Sequence, residues 1–163
     1  MGVPSPDYLA LLGALVEHRV DFIIVGGVSA VLHGAPVTTF DLDVVHSRTP
    51  DNVGRLLAAL QDLDAYYRGR GDQRLRPNLA RLSSPGHQLL MTRLGPLDLI
   101  GAIGAGRVYE DLLPHTLELQ VGGMPVRILD LETLIRTKVE LDRDKDRAVI
   151  SILRRTLEEK SKM

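Results

Sequence analysis

Asp41 and Asp43 stand one residue apart in Thr39-Phe40-Asp41-Leu42-Asp43-Val44-Val45, a segment whose Thr, Phe and Val content favours a strand. A strand's period of two sets both carboxylates on one face, their Cα atoms roughly 6.6 Å apart, and turns Leu42 and Val44 towards a core. Two like charges that close repel each other unless something compensates them, and a hard divalent cation such as Mg²⁺ does so well. Taken alone, the pair would equally suit the solvent face of an amphipathic strand. Gly26-Gly27 adds to it, because these glycines follow the apolar run Phe22-Ile23-Ile24-Val25 and precede a short helical segment. A strand that ends in Gly-Gly at a helix start presents backbone N–H groups that a phosphate can approach closely, and Ser29 could add a hydroxyl. Asp98 is the third candidate. It interrupts the otherwise apolar Gly95-Pro96-Leu97-Asp98-Leu99-Ile100, so it must be paired, solvated, liganded or used as a cap. If its strand lies beside that of Asp41 and Asp43, three carboxylates converge. Two would bridge a pair of metal ions, and the third would bind the catalytic ion and help deprotonate an incoming hydroxyl.

The elements that must position these groups alternate between strand and helix. Ser5-Pro6-Asp7 with Leu9, Leu12, Leu15 and Val16 predicts a first helix with Pro6 in its first turn. Phe22–Val25 reads as a buried strand, and Thr49-Pro50-Asp51 opens a helix with Val53, Leu56, Leu57 and Leu60 on one side. His87–Thr92 and Pro96–Ile100 read as strands, and Leu117–Val121 and Pro125–Leu129 as a hairpin about Gly122-Gly123. Asp130 caps a further helix whose inward stripe, Leu131, Leu134 and Ile135, continues geometrically through Lys138, Val139 and Asp142. Lys138 and Asp142 there form either a local ion pair or a charged contact with a ligand. A last helix is expected to end near Leu157, with Glu158–Met163 fraying. Arg68–Arg81, with five arginines, reads as turn and edge structure. Within it Arg74 and Arg76 are candidates for contact with an acceptor, or a soluble edge. The histidines have no ligand-like spacing, and His33, between the glycine turn and the carboxylates, is the one nearest the chemistry.

Composition narrows the classes. The chain has 163 residues, 20 Lys and Arg against 21 Asp and Glu, 44% apolar residues and 4% aromatics. One domain of about this size buries roughly two-thirds of its unfolded surface, so a single domain over residues 1–163 is expected, with 130–160 a helical extension packed on it. With no cysteine, disulfides, thiolate nucleophiles, zinc fingers and iron–sulfur clusters are excluded. The near-neutral balance argues against binding nucleic acid by bulk charge, and the few aromatics against a stacking platform. The longest apolar stretch, Phe22–Leu32, is too short to span a bilayer, and no basic segment leads into an apolar one near the N-terminus. Neither a membrane partner nor a signal peptide is therefore expected, and a cytoplasmic setting is. The Gly-Gly turn lacks the G-x-G-x-x-G spacing of a dinucleotide site.

An apolar strand, Gly-Gly, thirteen residues, Asp41-Leu42-Asp43 and a later Asp98 together resemble the nucleotidyltransferase superfamily related to DNA polymerase beta. Gly27-Val28-Ser29-Ala30, His33-Gly34, Leu134-Ile135-Arg136-Thr137-Lys138 and Arg143-Asp144-Lys145-Asp146 look more narrowly like its bacterial branch of AbiEii-type toxins and small proteins of unassigned substrate. The sequence departs from that branch at Val149, where a further Asp is usual, and it is shorter than most of the toxins.

The resemblance implies an α/β nucleotidyltransferase fold, a mixed β-sheet with helices mainly on one face and short C-terminal helices. It implies transfer of a nucleoside monophosphate from an NTP, such as ATP, to an acceptor, with release of pyrophosphate. Asp41, Asp43 and Asp98 would bind two Mg²⁺ ions, or Mn²⁺ in their place, and act in catalysis. Gly26, Gly27 and Ser29 would hold the β- and γ-phosphates, and Lys138 would balance their charge. Asp142 and Asp146 would support Lys138 or a ligand. The acceptor would be RNA such as tRNA, or a protein, the chain then being the toxin of a pair with an antitoxin partner. The alternatives are a small hydroxylated molecule, as in antibiotic-modifying enzymes, and a nucleotide-binding module without catalysis.

Overall fold

The computed structural model describes residues 6–39 and 41–162. Ser5, Phe40 and Met163, part of the expected first helix, carboxylate strand and tail, lie outside the described residues. The chain runs α1 (Tyr8–Glu17), β1 (Phe22–Val25), α2 (Gly26–Leu32), β2 (Leu42–His46), α3 (Pro50–Asp62), β3 (Tyr66–Tyr67), α4 (Leu79–Leu82), β4 (Gln88–Thr92), β5 (Gly95–Leu99), α5 (Tyr109–Leu112), β6 (Thr116–Val121), β7 (Met124–Leu129), α6 (Leu131–Leu141) and α7 (Arg147–Ser161). The strands form one mixed sheet in the order β3-β4-β5-β2-β1-β7-β6. β1 is antiparallel to β2 and parallel to β7, and β2 is parallel to β5.

β1 is apolar at all four positions because both of its faces are covered, and all four residues are buried. Phe22 and Ile24, with Leu42, Val44, Leu97, Leu99 and Ile128 from neighbouring strands, pack against Leu11, Leu12 and Leu15 of α1 and Leu56 and Leu60 of α3. Ile23, Val25 and Val45 face the other way, onto Ala30 of α2, Leu134 and Ile135 of α6 and Leu153 of α7. Helices therefore occupy both faces unequally. The first face is roofed by α1 and α3, whereas on the second face α2, α6 and α7 leave the β4–β5 side open, and that opening is the cleft described below.

Local chemistry sets the boundaries. The carboxylate of Asp7 accepts the Ala10 N–H and caps α1, which puts Pro6 outside the helix rather than in its first turn. Thr49 precedes α3 with Pro50 in its first turn, and Asp130 Oδ1 accepts from the Thr133 N–H at 2.8 Å to cap α6. Besides the expected turn and edge structure, the arginine-rich segment contains the start of α4, capped by Asn78, whose side chain accepts from the Arg81 N–H. The expected fraying from Glu158 is not found. α7 continues to Ser161, and the ammonium of Lys160 lies 2.7 Å from His33 Nδ1, which ties the end of the helix to α2.

Asn52 joins three of these elements. It is fully buried. Its Oδ1 accepts from the Asp21 N–H at 2.7 Å, and its Nδ2 donates to Asp21 O at 3.0 Å and Ser47 O at 2.7 Å. Asn52→Ala leaves the Asp21 N–H and Ser47 O unpaired before β1 and after β2, while Asp21 O keeps the Ser47 N–H, so it should destabilise the fold by about 2–4 kcal/mol. Urea unfolding reads this directly, and a loss below about 0.5 kcal/mol would contradict it.

Candidate metal and nucleotide site

The pairing of β2 with β5 builds the site. Leu42, Asp43 and Val44 lie opposite Leu97, Asp98 and Leu99, so the two aspartates are direct neighbours on one face. Asp41 immediately precedes β2, and the Thr39 hydroxyl donates to its carbonyl at 3.1 Å. Asp41, Asp43 and Asp98 each offer an oxygen within 4.8 Å of the others.

Burial and the neighbouring carboxylates press on the protonation of Asp41 and Asp43. Asp43 is pushed up to about 7, first by burial and then by the charges of Asp98 and Asp41, with Lys138 pulling the other way. Asp41 is also raised, by burial and then by Asp98, and Arg68 opposes this. Asp98 is 7% exposed, and its Oδ1 has no hydrogen-bond donor even though an Arg68 guanidinium nitrogen lies 2.7 Å away. That guanidinium donates to Leu90 O at 2.7 Å and so supplies charge to Asp98 without a directed bond. A buried carboxylate oxygen with a free lone pair, beside two further carboxylates, fits a hard divalent cation of the Mg²⁺ class.

The glycines do more than free the backbone for a phosphate. Gly26 has φ +66°, and a Cβ there would strike the Asp43 carboxylate. A Cβ on Gly27 would lie 2.6 Å from Thr39 Oγ1. The Gly-Gly pair therefore lets the start of α2 lie directly against the carboxylate segment. No side chain caps α2, and Val25 and Gly26 line an open cleft of about 570 Å³ together with Asp43, Asp98 and Lys138.

The other expected site residues divide. The Lys138 ammonium is 3.5 Å from Asp146 Oδ1, and Asp146 Oδ2 accepts from Arg143 Nε at 2.7 Å. Burial raises Asp146, but the Arg143 hydrogen bond and the Lys138 charge outweigh it and hold the carboxyl below its ordinary value. Ser29 does not reach the cleft. It is fully buried, and its hydroxyl donates to Leu129 O at 3.4 Å, because the third residue after Gly26 turns inward onto β7. His33 also binds Leu129 O, through Nε2 at 2.7 Å, and serves packing. Asp142 does not continue the α6 stripe. α6 ends at Leu141, and Asp142 is its exposed left-handed cap at φ +47°, while Val139 is 44% exposed. Arg74 and Arg76 stack on Tyr66, Arg76 also pairs with Asp64 at 2.7 Å, and neither lines the cleft.

Arg68, counted only among the five arginines, and Arg143, present only within a motif, have no site role from the sequence, and the structure sets them beside Asp98 and Asp146. Arg68 follows Tyr66-Tyr67, whose pairing with Met91 and Leu90 on β4 delivers it to Asp98. Two aromatic residues ahead of the arginines were the available signal.

The raised carboxyls give a signed pH dependence. Between about pH 4 and 7 the folded protein keeps a proton on Asp43 that the unfolded chain releases, so this group's contribution makes stability fall as pH rises through that window. His33 and His46, both lowered chiefly by burial, act in the opposite sense below about pH 6.5. Comparison with Asp43→Asn cancels the histidines. Metal-free wild type should lose stability relative to this variant from pH 5 to pH 7, and millimolar Mg²⁺ should restore it more at pH 7 than at pH 5. Parallel pH profiles of the melting temperature in the two proteins would contradict the assignment.

No protein-family model matches the chain, and no curated protein matches it in sequence. Solved structures do match its fold. A proposed nucleotidyltransferase from Thermotoga maritima superimposes with a TM-score of 0.58 at 17% identity, over 93% of each chain. The antibiotic-resistance factor ANT(2'')-Ia gives 0.59 at 17% identity, over 93% of this chain and 81% of that one. The lincomycin-bound lincosamide antibiotic adenylyltransferase LnuA gives 0.61 at 13% identity, over 93% and 98%. The fold is the mixed α/β nucleotidyltransferase fold of the polymerase-beta type.

Proposed function

We propose that this chain is a metal-dependent nucleotidyltransferase that moves a nucleoside monophosphate from an NTP to a hydroxyl of a small molecule. The observation that carries this reading is the convergence of Asp41, Asp43 and Asp98 through the register of β2 on β5. These three residues would hold the divalent cations, two in this reading. The bound metal supplies a Lewis acid that stabilises charge on the transferring phosphoryl group and the leaving pyrophosphate. The acceptor oxygen forms a bond to the α-phosphorus as the bond to pyrophosphate breaks, and Asp98 takes the acceptor's hydroxyl proton. The N–H groups of Gly26 and Gly27 and the ammonium of Lys138 bind the phosphate chain, with Asp146 anchoring Lys138. Arg68 offsets part of the triad's charge and so helps the three carboxylates gather.

The small-molecule acceptor is supported by the likeness to two antibiotic-modifying folds. The branch reading, a toxin acting on RNA or protein with an antitoxin partner, rests on short motifs. It loses its proposed contact surface because Arg74 and Arg76 are held away from the cleft on Tyr66. No described helix is long and apolar enough to cross a membrane. Pyrophosphate release with Mg²⁺ and each NTP, measured over a panel of hydroxylated small molecules with tRNA as a further arm, tests the proposal. Release that requires a small acceptor and is lost in Asp98→Asn is expected. Release with tRNA alone would overturn the choice of acceptor.

A further inference from the structure

The cleft's lining is unlike a site for a polycation. Asp43 and Asp98 are its only carboxylates among the described residues, and both belong to the metal triad. Its cationic groups are Lys138, Arg143 and Lys145, and its apolar wall includes Leu89, Ile100, Ile103 and Leu141. A ligand with several ammonium groups would meet like charge on one side and find no free acid on the other. A second pocket of about 280 Å³ shares one lining residue with the cleft. Arg143 lines both spaces, and Arg147 and Arg154 join it in the second, over Val139 and Ile150.

The acids nearby are largely spent. Asp146 holds Lys138 and Arg143, and Asp144 pairs with Arg147 at 3.1 Å. Asp142 is the one carboxylate in the second pocket, against three guanidinium groups. Arg154 has no ion-pair partner among the described residues, and Arg143 commits only its Nε to Asp146, which leaves its terminal nitrogens free. Three arginines lining one small pocket suit a phosphate, which accepts paired N–H donors.

Resting on the nucleotidyltransferase reading, we propose that the acceptor is a small hydroxylated phosphomonoester. Its phosphate docks among Arg143, Arg147 and Arg154 while its hydroxyl extends past Arg143, the residue common to both pockets, towards Asp98.

Ribose 5-phosphate, ribose and the polycation tobramycin serve as probes, titrated into the Mg²⁺-loaded protein by ¹H–¹⁵N NMR. Ribose 5-phosphate should bind at least tenfold more tightly than ribose and perturb amides across residues 143–154. Arg147 and Arg154 are exposed on α7, so Arg147→Glu/Arg154→Glu should fold normally. It should lose at least tenfold in ribose 5-phosphate affinity and keep its Mg²⁺–NTP affinity within about threefold. Equal binding of ribose and its phosphate, an unaffected double variant, tighter binding of tobramycin, or shifts confined to Gly26, Gly27 and Lys138 would each overturn the proposal. Tighter binding of a 5′-phosphorylated RNA oligonucleotide than of ribose 5-phosphate would also overturn it. Ribose 5-phosphate binding at the arginines in a protein that binds no NTP would contradict the nucleotidyltransferase reading and leave the pocket standing.

Discussion

Asp43→Asn is expected to reduce nucleotidyl transfer by about 10³-fold or more while making the metal-free protein more stable. Loss of one anionic ligand removes several kcal/mol of charge stabilisation at the reacting phosphorus, and each 1.4 kcal/mol is about tenfold in rate. The gain in stability has the same origin. The fold holds this carboxyl at about 7, first through burial and then through Asp98 and Asp41, against an ordinary value of 3.8. At neutral pH this costs the folded state on the order of 4 kcal/mol, which a neutral amide of the same shape avoids. Urea unfolding at pH 7 without metal, alongside a pyrophosphate-release assay, measures both. A variant that loses activity and also loses stability would mean that Asp43 is a structural group, and the metal assignment would fail.

Gly26→Ala should have the second-largest effect. The new Cβ meets the Asp43 carboxylate, and the backbone at φ +66° resists any L side chain. The backbone cost alone is about 1–2 kcal/mol. Displacing Asp43 from its register opposite Asp98 should lower Mg²⁺–NTP affinity at least tenfold and transfer by about 10²-fold, since a displacement of about 1 Å costs that much. In the Asp43→Ala background the carboxylate part of the clash is gone and only the Cβ at 3.2 Å remains, so Gly26→Ala should cost about 1 kcal/mol less there than in the wild type. Strict additivity, read from the four unfolding curves of the cycle, would show that Gly26 does not touch Asp43.

The carboxylate site was legible in the sequence because its signals are local. Period two and the flanking Leu42 and Val44 fix the faces, and the isolation of Asp98 among apolar residues marks it as a charge in need of a partner. Which strand lies beside which is not local. The adjacency of β2 and β5 entered only as a condition, and the sheet order supplied it. The errors have physical reasons. Ser29 reads as a phosphate ligand from its distance to Gly-Gly, but the rotation of α2 sends its hydroxyl to Leu129. Asp142 looks like the next residue of an inward stripe because no glycine marks the left-handed cap where α6 stops. Arg68 is indistinguishable by type from Arg74 and Arg76, and only the pairing of the two-residue β3 with β4 separates it from them. Lys160 looks like part of a polar tail, and its partner His33 is 127 residues away.

Calorimetric titration with each of the four NTPs, with and without Mg²⁺ and with Asp43→Ala in parallel, tests the central claim most directly. At least one NTP should bind only when Mg²⁺ is present, with binding lost in Asp43→Ala although the variant remains folded. NTP binding that is indifferent to both Mg²⁺ and Asp43, or no binding by any NTP to the folded wild type with Mg²⁺ or Mn²⁺, would contradict it.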